Sequence, residues 1–117
     1  MKILFNIGLG NNPLTKFDSD GKPSNVQLKV FELLMQYGYA EPYYKISEGM
    51  YNGQKEYTYV GTLWLNEGLN IDVVTEELCI AMTQECISYT CKEQGKLIYN
   101  PSFEGERYEF NEQYFII

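Results

Sequence analysis

The sequence predicts an α+β domain with the element order β-α-β-β-α-β, the split βαβ pattern of ferredoxin-like domains, with extra strands at the C-terminal end. Three observations predict it: an apolar first strand, two segments with helical apolar spacing, and a hairpin signal between those segments. A chain of 117 residues is long enough for one hydrophobic core and too short for two. We therefore expect a single ferredoxin-like domain over residues 1–117.

The first strand and the first helix are predicted from the N-terminal third of the chain. Residues 2–9 form an apolar run that ends among glycines and asparagines, so we expect a strand followed by a polar loop. Ser24 is a suitable N-cap for a helix that runs to about Tyr37, and Gly38 stands where a C′ glycine belongs. One stripe of that helix is apolar: Val26, Val30, Leu33, Leu34 and Tyr37.

The strongest local signal is the pair Asn52-Gly53. It is flanked by segments rich in Tyr, Val, Ile and Thr, and both of its residues suit the positive φ angles of a type I′ turn. We therefore predict strands over residues 42–51 and 55–65. Neither face of the second of these strands is purely polar, so we expect helices to cover one face of the sheet and another subunit to cover the other.

The C-terminal half predicts one more helix and further strands. Residues 72–84 fit a helix with Val74, Leu78, Ala81 and Met82 on one stripe and carboxylates in its early turns. Residues 86–91 are β-branched and aromatic, which favours a fourth strand, a turn at 92–95 and a fifth strand at 96–100. The tail, residues 107–117, alternates aromatic and polar residues and suggests an edge strand or an arm over a neighbour.

Composition excludes several classes of site. The chain has no histidine, which excludes Ser-His-Asp and Cys-His nucleophilic sites and the usual zinc and non-haem iron ligand sets. Its three cysteines lack paired zinc-ligand spacing, so we expect reduced, mostly buried thiols. Any acid–base chemistry must use carboxylates, Tyr, Lys or Cys, and we expect no metal and no cofactor.

The charge and hydropathy of the sequence argue against nucleic acid and membrane as binding partners. The net charge is −7 and the nine basic residues are scattered, which argues against direct binding to nucleic acid. No apolar run approaches the roughly 20 residues that span a bilayer, and the apolar N-terminal run is too short for a secretory signal. We expect a soluble, cytoplasmic protein with no membrane partner, whose acidic clusters are solvated faces rather than DNA mimics.

Two polar residues flank the hairpin turn, Tyr51 and Glu56, and Gln84 enters the predicted fourth strand. In the simplest interpretation Tyr51 packs at a strand end, Glu56 is a solvated carboxylate and Gln84 caps a helix. A functional interpretation requires these residues and the loop after the first strand to meet at one end of the sheet. The sequence leaves open whether those ends coincide within one subunit.

Three runs of the sequence carry a resemblance to a known family: Gly49-Met50-Tyr51-Asn52-Gly53-Gln54-Lys55-Glu56-Tyr57-Thr58-Tyr59-Val60, Gln84-Glu85-Cys86-Ile87-Ser88-Tyr89 and Gly95-Lys96-Leu97-Ile98-Tyr99. They resemble the phage-encoded S-adenosylmethionine lyases, formerly called hydrolases. The shared pattern is Gly-x-Tyr before the hairpin, Glu ahead of a Thr-x-Val strand, and Gln-x-Cys entering the next strand. It covers about half of the chain. The first helix and the tail match only in position.

The resemblance implies a function and a set of site residues. The family cleaves S-adenosylmethionine to methylthioadenosine and homoserine lactone without metal or cofactor, and phages use it in the host cytoplasm against restriction. Glu56 would be the essential catalytic residue, and Tyr51 and Gln84 would bind substrate. The fold would be PII-like, and the protein a homo-oligomer, with a trimer favoured and its sites between subunits.

Asn11 and Asn12, which follow two glycines, are also assigned to substrate binding. Backbone N–H groups in such a segment can form a nest for a carboxylate or phosphate. The alternative is a purely loop-forming role, since Gly and Asn are the ordinary residues of positive-φ turns.

Two other functions compete with the lyase. One is a non-catalytic, PII-like sensor or sponge that binds a nucleotide-like small molecule between subunits. The other is an acidic anti-defence protein that binds a host nuclease or regulator through an exposed row of carboxylates. Turnover of S-adenosylmethionine separates the lyase from both.

Overall fold

The computed structural model describes residues 1–9, 25–51 and 54–110. In chain order the elements are β1 (Lys2–Gly8), α1 (Asn25–Met35), β2 (Gly38–Ala40), β3 (Lys45–Tyr51), β4 (Gln54–Leu65), α2 (Ile71–Met82), β5 (Cys86–Cys91) and β6 (Gln94–Tyr99). All six strands belong to one antiparallel sheet of order β2-β4-β1-β5-β6, and β3 also pairs with β4. The expected mixed α+β architecture is confirmed.

Each helix connects two parallel strands that have a third strand between them. β1 and β3 are both antiparallel to β4, so they run parallel to each other on either side of it. β4 and β5 are both antiparallel to β1, so they are likewise parallel and flank β1. α1 lies between β1 and β3 in the chain, and α2 lies between β4 and β5.

The hydrophobic core lies between the helices and one face of the sheet. Strand residues that point to this face alternate along β1 and β4, as the pleat requires. They pack with the apolar stripes of both helices; the fully buried members include Ile3, Phe5, Ile7, Tyr59, Leu63, Val30, Leu34 and Leu78. The intervening strand residues belong to the other face, which we call the helix-distal face and which carries Leu4, Asn6, Thr58, Val60 and Ser88.

The ends of α2 are held by specific caps. The Asn70 side chain accepts hydrogen bonds from the backbone N–H of Asp72 (2.9 Å) and of Val73 (3.2 Å). At the other end Thr83 adopts a left-handed conformation with φ 54°, and its N–H bonds the last carbonyls of the helix. The predicted helix over residues 72–84 is confirmed with slightly earlier bounds. Ser24, the predicted N-cap of α1, lies outside the described residues.

Gly38 was predicted as the C′ glycine of the first helix, and this is wrong. α1 ends at Met35, Gly38 begins β2, and its φ is not in the left-handed region. A Cβ at this position would lie 2.0 Å from the carbonyl oxygen of Trp64 on the paired strand. The glycine is therefore required by the close approach of β2 to β4. This short strand precedes β3, which begins at Lys45 rather than at residue 42.

Two hairpins have two-residue connections. The β3–β4 pairing extends to Tyr51 opposite Gln54, which confirms the predicted two-residue hairpin, although Asn52 and Gly53 lie outside the described residues. The β5–β6 pairing extends to Cys91 opposite Gln94. Its two linking residues, Lys92 and Glu93, both have positive φ, at 49° and 67°.

The predicted tail strand is not formed in the described part of the tail. Up to Phe110 the segment after β6 contains no strand and packs against β6 of its own chain. Tyr99 holds it: Phe103 stacks on the Tyr99 ring at 5.1 Å, and the Tyr108 N–H donates to the Tyr99 hydroxyl at 2.9 Å. Residues 111–117 lie outside the described residues. Over the described ranges, neither helix is long and apolar enough to cross a membrane.

Candidate functional site

The described segments that carry or adjoin the candidate residues lie at the same end of the sheet in a single subunit. β1 ends at Gly8, which pairs with Thr58 of β4. β5 runs antiparallel to β1, so its first residue, Cys86, lies at the end where β1 finishes. Gln84 is two positions before Cys86. The exit of β1, the β3–β4 hairpin and Gln84 therefore share one end of the sheet, which answers the question that the sequence left open.

The β3–β4 hairpin projects beyond the end of β1. Its ladder continues past the Gly8–Thr58 pair, and the Leu9 N–H donates to the Tyr57 carbonyl at 2.7 Å. Glu56 pairs with Gly49 in this extension, and Tyr51 pairs with Gln54. For Tyr51 and Glu56 the description covers backbone pairing only. Asn11 and Asn12 lie outside the described residues.

Gln84 has a defined backbone role. Its N–H donates to the Cys79 carbonyl at 2.9 Å, just after the left-handed Thr83. The capping contact suggested as its simpler role is thus made by its backbone amide. The side chain is half-buried where the chain passes from α2 into β5.

A row of buried polar residues crosses the helix-distal face beside this end. Asn6 pairs with Ser88 on one side and with Val60 on the other, and Asn6, Thr58 and Ser88 are exposed by only 7%, 5% and 0%. Asn6 Oδ1 and Ser88 Oγ have no hydrogen-bond partner within the described ranges. Sequence analysis missed this row; the available signal was a lone asparagine inside the apolar run of β1.

A second polar cluster joins α2 to the β5–β6 hairpin. Asp72, in the first turn of α2, accepts a hydrogen bond from the Tyr89 hydroxyl at 2.5 Å and an ion-paired hydrogen bond from Lys96. Partial burial acts to raise the pKa of the Asp72 carboxyl, but the hydrogen bonds from Lys96 and Tyr89 and the lysine charge outweigh it, so that the pKa is lowered. Burial and the hydrogen bond to Asp72 raise the pKa of the Tyr89 phenol. Asp72 and Lys96 are 24 residues apart, so no local pattern predicts their contact.

Other buried titratable groups are structural. Burial raises the pKa of the Cys79 thiol to about 12, so it stays protonated at neutral pH, and its Sγ donates to the Ile98 carbonyl at 3.5 Å. Tyr59 is fully buried and stacks on Tyr44 at 4.5 Å, and burial raises the pKa of its phenol. The residues that the structure describes contain no group of three or more potential metal ligands.

Comparisons with known proteins give no relative: no family model, curated protein or solved structure matches the chain.

Proposed function

We propose that the protein is an S-adenosylmethionine lyase that produces methylthioadenosine and homoserine lactone. The observation that supports the proposal is the position of three motif segments at the same end of the sheet. The Gly-x-Tyr and Glu positions lie on the two strands of the projecting hairpin, and the Gln-x-Cys position lies where β5 begins, with β1 between them. These segments are separated in the sequence, and a shared substrate site requires them to lie at the same end of the sheet.

The proposed reaction is an intramolecular displacement in the substrate. The carboxylate of the methionine moiety attacks its own γ-carbon and forms a C–O bond. The C–S bond breaks, its electron pair stays on sulfur, and the sulfonium becomes the neutral thioether of methylthioadenosine. No proton has to be moved in this step. The protein has mainly to hold the carboxylate in line with the leaving sulfur and to exclude water, and such orientation contributes about 7–11 kcal/mol in favourable cases.

Each proposed site residue has a task that suits its chemistry. Glu56 would pair with the substrate ammonium and complement the cationic substrate. The Tyr51 ring would face the sulfonium or stack on the adenine, because aromatic faces attract cations. The Gln84 amide would hydrogen-bond the substrate at the entrance to β5. Asn11 and Asn12 keep the proposed role of presenting backbone N–H groups to the substrate carboxylate.

We further propose a ferredoxin-like, PII-like fold and a homotrimer. The split arrangement, in which each helix links parallel strands around an intervening antiparallel strand, supports this fold. Large apolar side chains remain exposed on the helix-distal face of the sheet, among them Leu4 at 38%, Tyr39 at 57% and Trp64 at 44%. A neighbouring subunit on that face would cover them and would bring a second set of residues to the end of the sheet.

If the protein is phage-encoded, this activity would act in the host cytoplasm against restriction. An acidic protein with few, scattered basic residues in its sequence suits a small-molecule substrate better than a nucleic acid. The partner of the site is therefore proposed to be S-adenosylmethionine itself.

The test is chromatography of S-adenosylmethionine incubated with purified protein in the absence of added metal. We expect conversion of S-adenosylmethionine to equal amounts of methylthioadenosine and homoserine lactone. S-adenosylmethionine that remains intact over a long incubation would refute the enzyme. Unchanged ligand that co-purifies with the protein would instead support the non-catalytic binding module.

A further inference from the structure

A surface cavity of about 360 Å³ lies at the end of the sheet opposite the proposed lyase site. It is formed where β5 passes into β6 and is bordered by the start of α2 and by Met1. The register of β1 with its neighbours separates the two ends: Leu4 pairs with Thr90 near the cavity, whereas Gly8 pairs with Thr58 near the hairpin. The volume is in the range of small-molecule sites in proteins.

The lining of the cavity divides into an apolar part and a cationic part. Its lining includes the apolar or aromatic residues Met1, Ile71 and Tyr89 and the two lysines Lys92 and Lys96. The chain has only nine basic residues and a net charge of −7, so two lysines at one cavity are a local concentration of cationic side chains. Opposite charge and an adjoining apolar surface are the two features that attract an organic anion.

Lys96 is held in place by the cluster described above. Asp72 accepts its ion-paired hydrogen bond and is itself oriented by the Tyr89 hydroxyl, and Tyr89 pairs with Lys96 across the two strands. Because Asp72 neutralises much of the Lys96 charge, the larger attraction for an anion comes from Lys92. Lys92 already lines the cavity, so the turn does not have to move for Lys92 to contact a ligand there.

The turn that carries Lys92 has an unfavourable sequence for its geometry. Lys92 and Glu93 both adopt positive φ, a conformation that Asn and Gly tolerate far better in a two-residue hairpin. Local turn stability therefore does not explain a lysine at this position. Backbone strain that is retained next to a cavity is an observation from which a functional hypothesis can be drawn.

We propose that this cavity binds a small organic anion with one carboxylate on an aromatic body, at a site distinct from the proposed lyase site. The carboxylate lies at Lys92 and the accessible side of Lys96, and the ring lies against Met1, Ile71 and Tyr89.

The experiment is an NMR titration of the ¹⁵N-labelled protein with benzoate, with neutral benzamide as the matched ligand. Benzoate is expected to give saturable shifts in the amides of Ile71, Lys92, Gln94 and Lys96 at concentrations up to about 20 mM, since a ligand of this size binds in the millimolar range. Benzamide is expected to bind several-fold more weakly. Equal affinity for the two ligands, or no saturable shift at these amides, overturns the proposal.

A pair of variants tests the role assigned to Lys92. Lys92→Gln is expected to lower benzoate affinity about three- to fivefold, the effect of one partly exposed charge. Lys45→Gln removes the same charge from exposed β3 and is expected to leave the affinity unchanged. Thermal unfolding of both variants verifies that they fold. Unchanged affinity in folded Lys92→Gln, or the same loss in Lys45→Gln, contradicts the assignment.

Discussion

At the scale of single residues, burial and hydrogen bonding decide the charge states of the titratable groups. Cys79 is a buried thiol whose pKa is raised to about 12, so it acts as an apolar core residue. The pKa of the Asp72 carboxyl is instead lowered, because Lys96 and Tyr89 donate hydrogen bonds to it. The sequence predicted reduced, mostly buried thiols, and of the three free cysteines Cys79 is buried whereas Cys86 and Cys91 are half-buried. It also placed Asp72 in an early turn of a helix. It could not predict the partners of Asp72, because they lie on strands that only the fold brings close.

Asp72 predicts a specific dependence of stability on pH. Its folded pKa is below the unfolded value, so its ion pair contributes stability above the unfolded pKa of about 3.9 and loses that contribution as pH falls through the folded pKa. Asp72→Asn is expected to lower the free energy of unfolding by at most about 1 kcal/mol at pH 7, since both partners are partly exposed. The difference from wild type is expected to shrink below about pH 4.

Urea unfolding of wild type, Asp72→Asn and Glu67→Gln between pH 7 and about pH 2 measures this effect. Glu67 is an exposed carboxylate in the loop before α2, so its variant is the control for the loss of one negative charge. A difference between wild type and Asp72→Asn that stays constant over the whole pH range would contradict the account.

At the scale of elements, close approaches between backbones and the geometry of turns determine where helices and strands begin and end. The β3–β4 hairpin was predictable because an Asn-Gly pair is a local signal with a known geometry. β2 was not predictable, because it has only three residues and exists through its pairing with the end of β4. Gly38 illustrates the difference: its position after a helix suggested a cap, but the contact that requires glycine comes from Trp64, 26 positions further along the chain.

Gly38→Ala is expected to destabilise the protein by about 1–3 kcal/mol, the usual cost of overpacking, because the added Cβ meets a backbone carbonyl that cannot rotate away. Gly68→Ala is the reference for backbone strain alone. Gly68 has φ 84° with open space around its Cβ position, so we expect a smaller loss of about 1 kcal/mol. The measurement is thermal or urea unfolding of both variants. A Gly38→Ala protein as stable as wild type would show that β2 does not approach β4 as described.

Glu93→Gly is expected to stabilise the protein by about 0.5–1 kcal/mol, because glycine adopts the φ of 67° in the β5–β6 turn without a steric cost. For a domain of this size the midpoint of thermal unfolding should rise by about 2–6 °C. Gln94→Gly, one residue further in β6, is the control and is expected to lower the midpoint. A lower midpoint in Glu93→Gly would indicate that the turn has another conformation.

At the scale of the whole molecule, pairing register determines which distant segments become neighbours. The order of helices and strands was predictable from periodicity, with two exceptions: β2 was missed, and the predicted tail strand is not formed in the described part of the tail. Register was not, because the sequence does not say which residue of β1 lies opposite which residue of β4 or β5. It is the register of Gly8 with Thr58, and the antiparallel course of β5, that bring the candidate segments to one end of the sheet.

The helix-distal face allows a test of the proposed oligomer. If a neighbouring subunit covers this face, Leu4→Arg is expected to weaken the proposed trimer, since it puts a charge into an apolar contact. Ile80→Arg changes a similarly exposed apolar residue on α2 and is expected to leave the oligomer intact. Analytical ultracentrifugation of the three proteins measures the mass. A monomeric wild type, or equal masses for folded Leu4→Arg and wild type, would contradict the proposed assembly.

The central claim is that Glu56 at the projecting hairpin acts on S-adenosylmethionine. Its most direct test is the rate of methylthioadenosine formation by wild type, Glu56→Gln and Glu48→Gln, the last of which changes a glutamate on the partner strand of the same hairpin. We expect turnover by wild type and Glu48→Gln, and a loss of at least about 100-fold in Glu56→Gln with its oligomeric mass unchanged. Undiminished turnover in Glu56→Gln, or none in wild type, would contradict the claim.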